Sequence, residues 1–566
     1  MINIGEIITK VGKKEQDFSE LYKQMDEDYD LWNVKKVIFD THPMAINITS
    51  NDPRSLFEKV QAYLIGSEPQ FTVLPPENHP SPNAKEVANK EERLYHFALE
   101  QADIRLRRIL QPKLLDSLAW FGLARAMIDV RILVYPDAKG NIIWDFLALD
   151  PRYVTFEIGR DGLAWVAYKT FRSSQSLRDE YRFEGTSSDA KGIEVLDYWD
   201  REINATIAIS GGGETGNTLQ DPIKHGLSEI PIIIRPVAMS PRICDNSGIK
   251  ITSWGQSIFA PNRLSYRQVD ELRTILATHA HTLAKAPTVF QSEAGNPPYT
   301  IDPKDIPYYA GAVMALPPGV KATRLPVPDI PHSLETAIGL GRGDIQRATY
   351  SDIEYGQLSF QLSGTALRML KAEIDKVVGP RKQALVDTYT DMCHMIKKQI
   401  IEYKDSKGNK TGLTIPVKTV SQNSYTAYDM APELLDNDFH IGADFVIQNA
   451  WEELEAYQLA QMAKQNRFMS DEGIMDNILK IQDTKAELEK LDLQDVEAMS
   501  PELKLLKAGD IYKRTGQERE LAIVAQELQQ ILRQKQAATE QATMPQGAVP
   551  GQAPTPQQAV PGQEVR

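Results

Sequence analysis

A long segment without proline or glycine is followed by a segment crowded with proline, and this contrast constrains the fold more than any other feature. Residues 263–285 contain neither residue type and their apolar residues recur at helical spacing, so one continuous helix is predicted. Nine prolines between 297 and 331 then exclude helix and predict a small extended or β module. A second helix is predicted over Ser333–Tyr350. The centre of the chain should be a β insert held between two helices.

The first of these helices is expected to have a core face and a wet, mostly basic face. At about 100° per residue, one arc holds the apolar residues Leu264, Val269, Leu272, Ile275, Leu276 and Leu283. The basic side holds Arg263, Arg267, Arg273, His281 and Lys285, and the second helix adds Arg342 and Arg347. Small residues of the second helix, Ala337 and Gly341 among them, permit close approach to a neighbour. An ordinary solvated helix face is the alternative interpretation of the basic side.

Before this centre, the chain reads as helices followed by an antiparallel meander, which predicts an α+β fold. Helices are expected over Phe18–Trp32, Glu86–Leu110 and from Pro112 to about Met127. The period then changes to two, with strands predicted over Val130–Pro136, Ile142–Leu149, Tyr153–Ile158, Leu163–Phe171, Ile193–Trp199 and Ala205–Ile209. The loop Ser210–Asn217 and the run Pro231–Pro236 are expected to close this meander.

After the centre, a polar and aromatic segment, 351–362, leads into a predicted helix over 363–403. Gly379 and Pro380 lie inside that helix and predict a kink, because proline removes a backbone hydrogen bond. Strands near Leu413–Val420 and Phe445–Gln448 precede the final helices, which are expected over Glu452–Arg467, from Ser470 with its hydroxyl as cap, from Ser500-Pro501, and over Gln517–Lys535. The last residues, 537–566, repeat Ala-Val-Pro-Gly-Gln and are expected to be disordered.

Composition excludes several classes of protein. Of 566 residues, 42% are hydrophobic and 25% charged, the balance of a soluble globular protein. The net charge of −14 lacks the basic footprint of a protein that grips nucleic acid. Two cysteines cannot build a disulfide scaffold. Charged residues interrupt Leu114–Val134 and the N-terminus, so neither a membrane span nor a signal peptide is predicted, and a reducing cytosol is the default compartment.

No motif indicates catalysis, a metal or a cofactor. The glycine-rich Ser210–Asn217 lacks the Lys-Ser/Thr and the helix of a phosphate loop, so a hairpin or disordered loop is favoured. His279 and His281 are about 200° apart on a helix, which predicts a solvated pair and not a metal site. Cys393 is expected to be a buried small residue beside Met392 and Met395. Asp471, Glu472 and Asp476 are spaced for capping and solvation. The chain is therefore not expected to be an enzyme.

Three short sequences carry a resemblance to a known family. They are His225–Ile234 (HGLSEIPIII), Leu358–Arg368 (LSFQLSGTALR) and Ser470–Met475 (SDEGIM), of which Ser363–Leu367 is the most specific. Together with the order helix, insert, helix, loop and long helix, they make the chain resemble the tailed-bacteriophage portal, or head-to-tail connector, proteins from about Leu114 to Lys535. The N-terminal helix and the repeated-pentapeptide tail have no role that this resemblance assigns.

The resemblance implies a portal-like architecture. The expected parts are a wing (1–260 and 404–450), stem helices (261–288 and 331–350), a clip (289–330), a tunnel loop (351–362), a long kinked helix (363–403), a helical crown (451–536) and a tail (537–566). The tunnel-loop residues expected to face DNA are Asp352, Glu354, Tyr355, Gln357, Ser359, Phe360 and Gln361.

The resemblance also implies a function and its partners. The chain would form a ring, usually of twelve subunits, at one capsid vertex, through which double-stranded DNA is packaged and ejected. The large terminase subunit would dock on the clip, followed by a head–tail adaptor, with the major capsid and scaffolding proteins as further partners. The protein would be assembled in the host cytoplasm and end in the virion, without a membrane partner.

Two rival functions stay open at this point. One is a nucleotide-binding enzyme that uses residues 210–217, and the other is a cytosolic oligomeric scaffold that never touches DNA. The acidic charge suits a channel along which a polyanion slides without sticking. The tunnel loop itself could instead be a buried turn that supports the helices around it.

Overall fold

The structure is a computed structural model, and it describes most of the chain between Ile4 and Leu479. The described residues are 4–41, 45–76, 83–183, 192–209, 216–241, 244–245, 248–249, 254–284, 288–292, 302, 316–324, 331–347, 364–404, 409–421, 424–447, 450–479 and isolated residues between 488 and 533. The chain divides into two compact units, Met1–Glu452 and Glu453–Arg566.

Helices make up the larger part of the secondary structure. They are α1 (Ile4–Asp17), α2 (Ser19–Trp32), α3 (Asp52–Ile65), α4 (Ala84–Arg108), α5 (Leu114–Ala124), α6 (Ser174–Tyr181), α7 (Arg263–Ala284), α8 (His332–Arg347), α9 (Gly364–Glu402), α10 (Pro432–Leu435), α11 (Ala450–Gln465) and α12 (Asp471–Asn477). The α+β prediction is confirmed. The helices predicted at 18–32, 86–110, 263–285, 333–350 and 363–403 are present within a few residues of the expected bounds.

The strands form several small antiparallel sheets. They are β1 (Ser67–Leu74), β2 (Met127–Pro136), β3 (Ile142–Leu149), β4 (Val154–Gly159), β5 (Gly162–Arg172), β6 (Ile193–Asp200), β7 (Ile203–Ile209), β8 (Gly216–Lys224), β9 (Ile232–Pro236), β10 (Cys244–Asp245), β11 (Gly248–Ile249), β12 (Thr288–Ser292), β13 (Val320–Arg324), β14 (Ile415–Ser421), β15 (Ser424–Met430) and β16 (His440–Ile447). All six strands predicted between Val130 and Ile209 are confirmed, with ends that differ by three residues at most.

The predicted single meander is in fact two sheets. Strands β4 to β8 form a five-stranded sheet in chain order, whereas β3, β2 and β9 form a separate three-stranded one. Residues 231–236 therefore do not close the meander, because β9 pairs Met127–Arg131 of β2. After the glycine-rich segment, Thr218 and Gln220 lie in β8 and pair with Ile207 and Thr206 of β7. The strand β2 is buried along Met127–Val130, where β9 pairs with one edge and β3 joins the other edge from Asp129 onward.

The largest core is assembled around α9. Its second half packs on β2 and β16, and its buried side chains include Leu385, Tyr389, Met392, Ile396 and Ile400. The side-chain amide of Gln399 finishes the edge of β2 beyond the point where β9 ends. It donates to the carbonyl of Ile132 at 2.7 Å and accepts from the amide of Val134 at 2.9 Å. A helix thereby satisfies strand groups that would otherwise be buried without partners.

The second unit begins at Glu453, near the start of α11. Ala460 and Ala463 pack against Ile474 of α12. The Ser470 hydroxyl accepts a hydrogen bond of 3.1 Å from the amide of Gly473, so the predicted cap of α12 is confirmed. The predicted tail, 537–566, lies outside the described residues. Within the described part of the chain, every helix is too short or too polar to serve as a membrane span.

Candidate assembly and DNA-facing surface

The helices α7 and α8 form an antiparallel hairpin with very close packing. Asn262, just before α7, donates from Nδ2 to the carbonyl of Ile345 near the end of α8 at 3.0 Å. A Cβ on Gly341 would lie 2.7 Å from Cγ2 of Val269, closer than real side chains approach. The prediction that small residues permit close approach is confirmed. Ile345 is buried, and Leu334, Ala337 and Ile338 are half-buried on the same stripe.

A β-hairpin joins the two helices at their far end. Strands β12 and β13 pair from Thr288 with Arg324 to Ser292 with Val320. The strand β13 lies in the proline-rich segment for which an extended or β module was predicted, and much of that segment lies outside the described residues. The described parts of the segments predicted as stem and clip are thus α7, the paired strands β12 and β13, and α8, in that order along the chain.

An extended segment, residues 45–50, runs along α7 and is called the strap below. Backbone amides of alternate residues, Ser50, Ile48 and Ile46, donate to the side chains of Asp270, Thr274 and Thr278 at 3.0, 2.9 and 3.0 Å. Four helical residues advance about 6 Å and two extended residues about 6.6 Å, so the two repeats stay in register.

The strap changes which side of α7 is buried, and the predicted amphipathic faces are partly wrong. Val269 is buried as expected, but Asp270 and Thr274 are buried too, where the strap donates to one side-chain oxygen of each. Leu264 on the expected core side is 73% exposed, and Ile275 and Leu283 are also exposed. In the isolated subunit, part of the apolar arc therefore faces outward.

The predicted basic side divides into paired and exposed residues. Arg263 donates from Nε and Nη2 to both carboxylate oxygens of Asp28 at 2.8 Å. Arg273 lies 3.5 Å from Asp52 and 3.6 Å from Asp270 through Nη1. These two arginines are largely buried and connect α7 to α2 and α3, so their assignment to a solvent-facing side is wrong.

The other predicted basic residues have different surroundings. Arg267 and Arg342 are exposed, and Arg347 is exposed and lies 3.2 Å from Asp344 of its own helix. His281 and His279 are half-buried instead of fully solvated, and Lys285 lies outside the described residues. Among the members of the predicted set that the structure describes, Arg267 and Arg342 are thus exposed and available for a ligand.

Burial disfavours the charged form of two carboxylates near α7. Burial raises the pKa of Asp28, even though the Arg263 guanidinium beside it lowers it. Burial likewise raises the pKa of Asp270, against the hydrogen bond from Ser50 and the nearby charge of Arg273. Both groups depend on their partners to remain ionised at low cost.

The predicted tunnel-loop residues, Asp352, Glu354, Tyr355, Gln357, Ser359, Phe360 and Gln361, lie outside the described residues. Their assignment to a DNA-facing loop stays a prediction. Gly379 and Pro380 lie inside α9, where Nη1 of Arg381 donates to the carbonyl of Val377 at 2.6 Å. The kink predicted there also stays a prediction.

The strands beside the glycine cluster and the environment of Cys393 are structural in character. The glycine cluster at 210–215 lies outside the described residues, but strands β7 and β8 flank it as a hairpin, where a phosphate loop would need a helix next. Cys393 is buried as predicted, and burial raises the pKa of its thiol. In the described ranges, histidine, cysteine and acidic side chains do not gather in threes around a possible metal position.

The strap and a cavity beside it were missed by the sequence analysis. The cavity, of about 280 Å³, is lined by residues 30–31 and 34–39, the end of the strap, Pro53, Arg267 and Asp270. The available signal was the four-residue spacing of Asp270, Thr274, Thr278 and Thr282 on α7. A polar stripe of short acceptors at helical spacing can bind a backbone as well as water, whereas the prediction rested on the apolar and basic sides of the helix.

In the comparisons with known proteins, matches were found among solved structures. No protein-family model matches the chain, and neither does any curated protein. One solved structure similar to it is the neck of an empty GTA particle computed with C6 symmetry. The match has 10% sequence identity and a TM-score of 0.39, and it covers 79% of this chain and 92% of that chain.

Proposed function

We propose that this chain is the subunit of a portal ring that conducts double-stranded DNA at one vertex of a tailed-phage capsid. The proposal rests on the sequence resemblance and on the order of elements: a helix, a β-hairpin and a helix, then the 39-residue α9. In this proposal the ring is built of about twelve subunits, as in the resembling family.

The observation that supports ring formation best is the exposed apolar surface of the α7–α8 hairpin. Leu264 is 73% exposed and Leu340 65%, and Ile275 and Leu283 are exposed as well. Each exposed leucine that a neighbour covers would contribute roughly 1.5–3 kcal/mol. A ring supplies such a neighbour to every subunit at once.

The proposed contact with DNA is one of passage and not of tight binding. The chain has 77 acidic against 63 basic residues, so phosphates meet a mostly repulsive wall. Arg267 and Arg342 are exposed on the hairpin and would offer brief contacts. Residues 351–362 would line the narrowest part of the channel, and the motor would dock on the segment between the two helices.

The proposal gives the subunit no catalytic step of its own. Packaging energy would come from the terminase, and the ring would hold and release DNA. A nucleotide-binding function would predict saturable ATP binding that is lost when Gly211, Gly212 and Gly213 are replaced, and this binding is expected to be absent.

The decisive experiment images the purified full-length protein by negative stain and measures its mass by light scattering. A ring with a central hole is expected, and a monomer at all concentrations and salts would refute the proposal. Leu264→Ser with Leu340→Ser should weaken assembly, whereas Ile158→Ser, at an exposed position of β4, should not.

Deleting Tyr355–Ser359 then separates a portal from a scaffold that never handles DNA. Rings and procapsids should still form, but packaged DNA should be reduced or lost. A normal phage titre from this deletion would remove the DNA-handling role, and failure to form rings would favour a supporting turn.

A further inference from the structure

The C-terminal end of α4 carries an exposed turn that is both basic and apolar. Residues 107–113 (Arg-Arg-Ile-Leu-Gln-Pro-Lys) are all exposed. Leu110 is 92% exposed, the highest value among the large exposed apolar side chains of the described residues, and Ile109 beside it is exposed too. An isolated surface leucine is ordinary, but a protruding pair flanked by three cations resembles the anchor of an interface.

The backbone at Leu110 adds to this argument. The residue ends the helix in the left-handed conformation, with φ of 58°. The amide of Gln111 donates to the carbonyl of Leu106 at 2.9 Å, which closes the helix end in the manner that normally uses glycine. A leucine is strained at such a position. The chain therefore keeps a large apolar side chain, fully exposed, where glycine would suit the subunit better.

The other end of the same helix borders a cavity with the complementary chemistry. The cavity has a volume of about 600 Å³ and is lined by Ala84, Val87, Glu433, Leu434, Asp436, Asn437, Asp438 and Phe439. Its apolar floor includes Ala84, Val87 and Phe439, and three carboxylates are exposed around it. No basic side chain belongs to this described lining, so the site is suited to an apolar group flanked by positive charge.

The two features cannot meet within one subunit, because they lie at opposite ends of α4. The 25 residues of this helix span about 37 Å. We propose that residues 107–113 of one subunit dock into the acidic cavity of a second copy, with Leu110 on its apolar floor and Arg107, Arg108 and Lys113 facing Glu433, Asp436 and Asp438. This inference rests on the proposed ring and assigns one of its contacts.

The arrangement has the symmetry that a ring requires. The two surfaces differ from each other, so each copy offers one to the next copy and receives the other from the copy behind. A heterologous contact of this kind repeats from subunit to subunit, and it forms a closed ring when the rotation between neighbours divides a full turn evenly. Each α4 would then contact one neighbouring subunit at its C-terminal end and the other neighbouring subunit at its N-terminal end.

Charge reversal with rescue tests the contact. Arg107→Glu with Arg108→Glu, and separately Glu433→Lys with Asp436→Lys, should each weaken assembly at least about ten-fold. A 1:1 mixture of the two variants, and a chain that carries all four changes, should recover assembly. Arg178→Glu with Arg182→Glu is the matched control, since both arginines are exposed elsewhere on the same unit.

Leu110→Gly separates this contact from subunit folding. It should raise the thermal unfolding midpoint of the unassembled subunit, because glycine relieves the backbone strain, and yet weaken assembly at least about ten-fold. In a Cys244→Ser background, Leu110→Cys with Leu434→Cys should give a ladder of covalent multimers on mild oxidation.

The outcomes distinguish this contact from the proposed ring. If both charge-reversed variants assemble like the unmodified protein, the contact is wrong while the ring stands. If both are impaired and combining them restores nothing, the contact is also wrong. If the unmodified protein never forms rings, the proposed function fails and this contact with it.

Discussion

The ammonium of Lys397 on α9 lies 3.1 Å from Oε1 of Glu91 on α4, and Glu91 is completely buried. Tyr95 donates to the same oxygen at 2.7 Å, and Asn437 donates to the second oxygen at 3.0 Å while it accepts from Lys397 at 2.7 Å. This closed set of partners joins α9, α4 and the loop after α10. Its members satisfy one another, so the group is stable only as a whole.

Replacing Lys397 by methionine should therefore cost about 3–5 kcal/mol of unfolding free energy, because a buried carboxylate loses its cation. Urea unfolding of the subunit measures this. The neighbouring Lys398→Met is the control, since Lys398 is half exposed and lies 3.4 Å from an equally exposed Glu229. The control should lose less than about 1 kcal/mol. Equal losses in the two variants would contradict the stabilising role of the buried network.

The hydrogen bonds of the strap predict that removing the Thr274 hydroxyl loosens the strap from α7. Thr274→Val keeps the shape of the side chain but removes the oxygen that accepts from Ile48 at 2.9 Å. A half-buried amide loses its partner, so the loss should be about 1 kcal/mol, and residues 45–50 should become more susceptible to proteolysis. Thr282→Val is the control, because the Thr282 hydroxyl bonds only the carbonyl of Thr278 in its own helix. Unchanged proteolysis in Thr274→Val would contradict the role of the ladder.

Asp129 predicts a pH dependence of stability. The residue is fully buried on β2, neither of its carboxylate oxygens has a hydrogen-bond partner among the described residues, and burial together with the charge of Asp150 raises its pKa well above the usual range. The folded state then binds a proton that the unfolded state has released. Folding stability should fall as pH rises from about 4, the unfolded pKa, towards the raised folded value.

Asp129→Asn removes this titration, so the variant should gain stability relative to the unmodified protein as pH rises from about 4 to 8. Asp137 provides a control of opposite sign. Hydrogen bonds from Asn141 lower the pKa of Asp137, which lies in an exposed turn. The stability of Asp137→Asn relative to the unmodified protein should therefore fall as pH rises through the pKa that Asp137 has in the unfolded chain. Urea titrations at several pH values measure both. A flat difference for Asp129→Asn would show that its carboxyl is ionised at little cost.

Local periodicity predicted much of this fold, and long-range pairing accounts for most of what it missed. The strand Ile142–Leu149 has the predicted bounds, because a two-residue period ended by turn residues is a local property. The strand β1 was not predicted, and its partner β16 is more than 360 residues away in the chain. Nothing in the eight residues of β1 specifies that partner. The register between them emerges only when α4 and α9 bring the two strands together.

The surface of α7 shows the same limit for side chains. The apolar arc was taken as the core face, whereas the strap buries Asp270 and Thr274 by donating backbone hydrogen bonds to them. Helical projection ranks residues by hydrophobicity and cannot include a partner segment 220 residues away. The small residue Gly341 was recognised correctly, because close approach depends on size alone.

Arg263 and Arg267 should respond differently to mutation although they were predicted on the same face. Arg263→Ala leaves Asp28 buried without its cation and should cost about 3 kcal/mol of unfolding free energy. Arg267→Glu changes an exposed residue and should leave stability within about 0.5 kcal/mol, while altering DNA retention or coupling to the motor. Thermal unfolding and packaging assays measure the two effects. Loss of ring assembly in Arg267→Glu would instead place this residue in an inter-subunit ion pair.

The contact between Gly341 and Val269 predicts that an alanine at position 341 and an alanine at position 343 of α8 have opposite effects on stability. Gly341→Ala places a methyl group 2.7 Å from Cγ2 of Val269, a buried and stiff side chain that cannot move aside, so the hairpin should lose about 1–3 kcal/mol. Gly343→Ala in the same helix meets nothing within 4 Å and should gain up to about 1 kcal/mol from helix propensity. Adding Val269→Ala to Gly341→Ala should recover part of the loss, because the clashing methyl group is removed. If Gly341→Ala stabilises the protein as Gly343→Ala does, the two helices are not held at the separation that this contact requires.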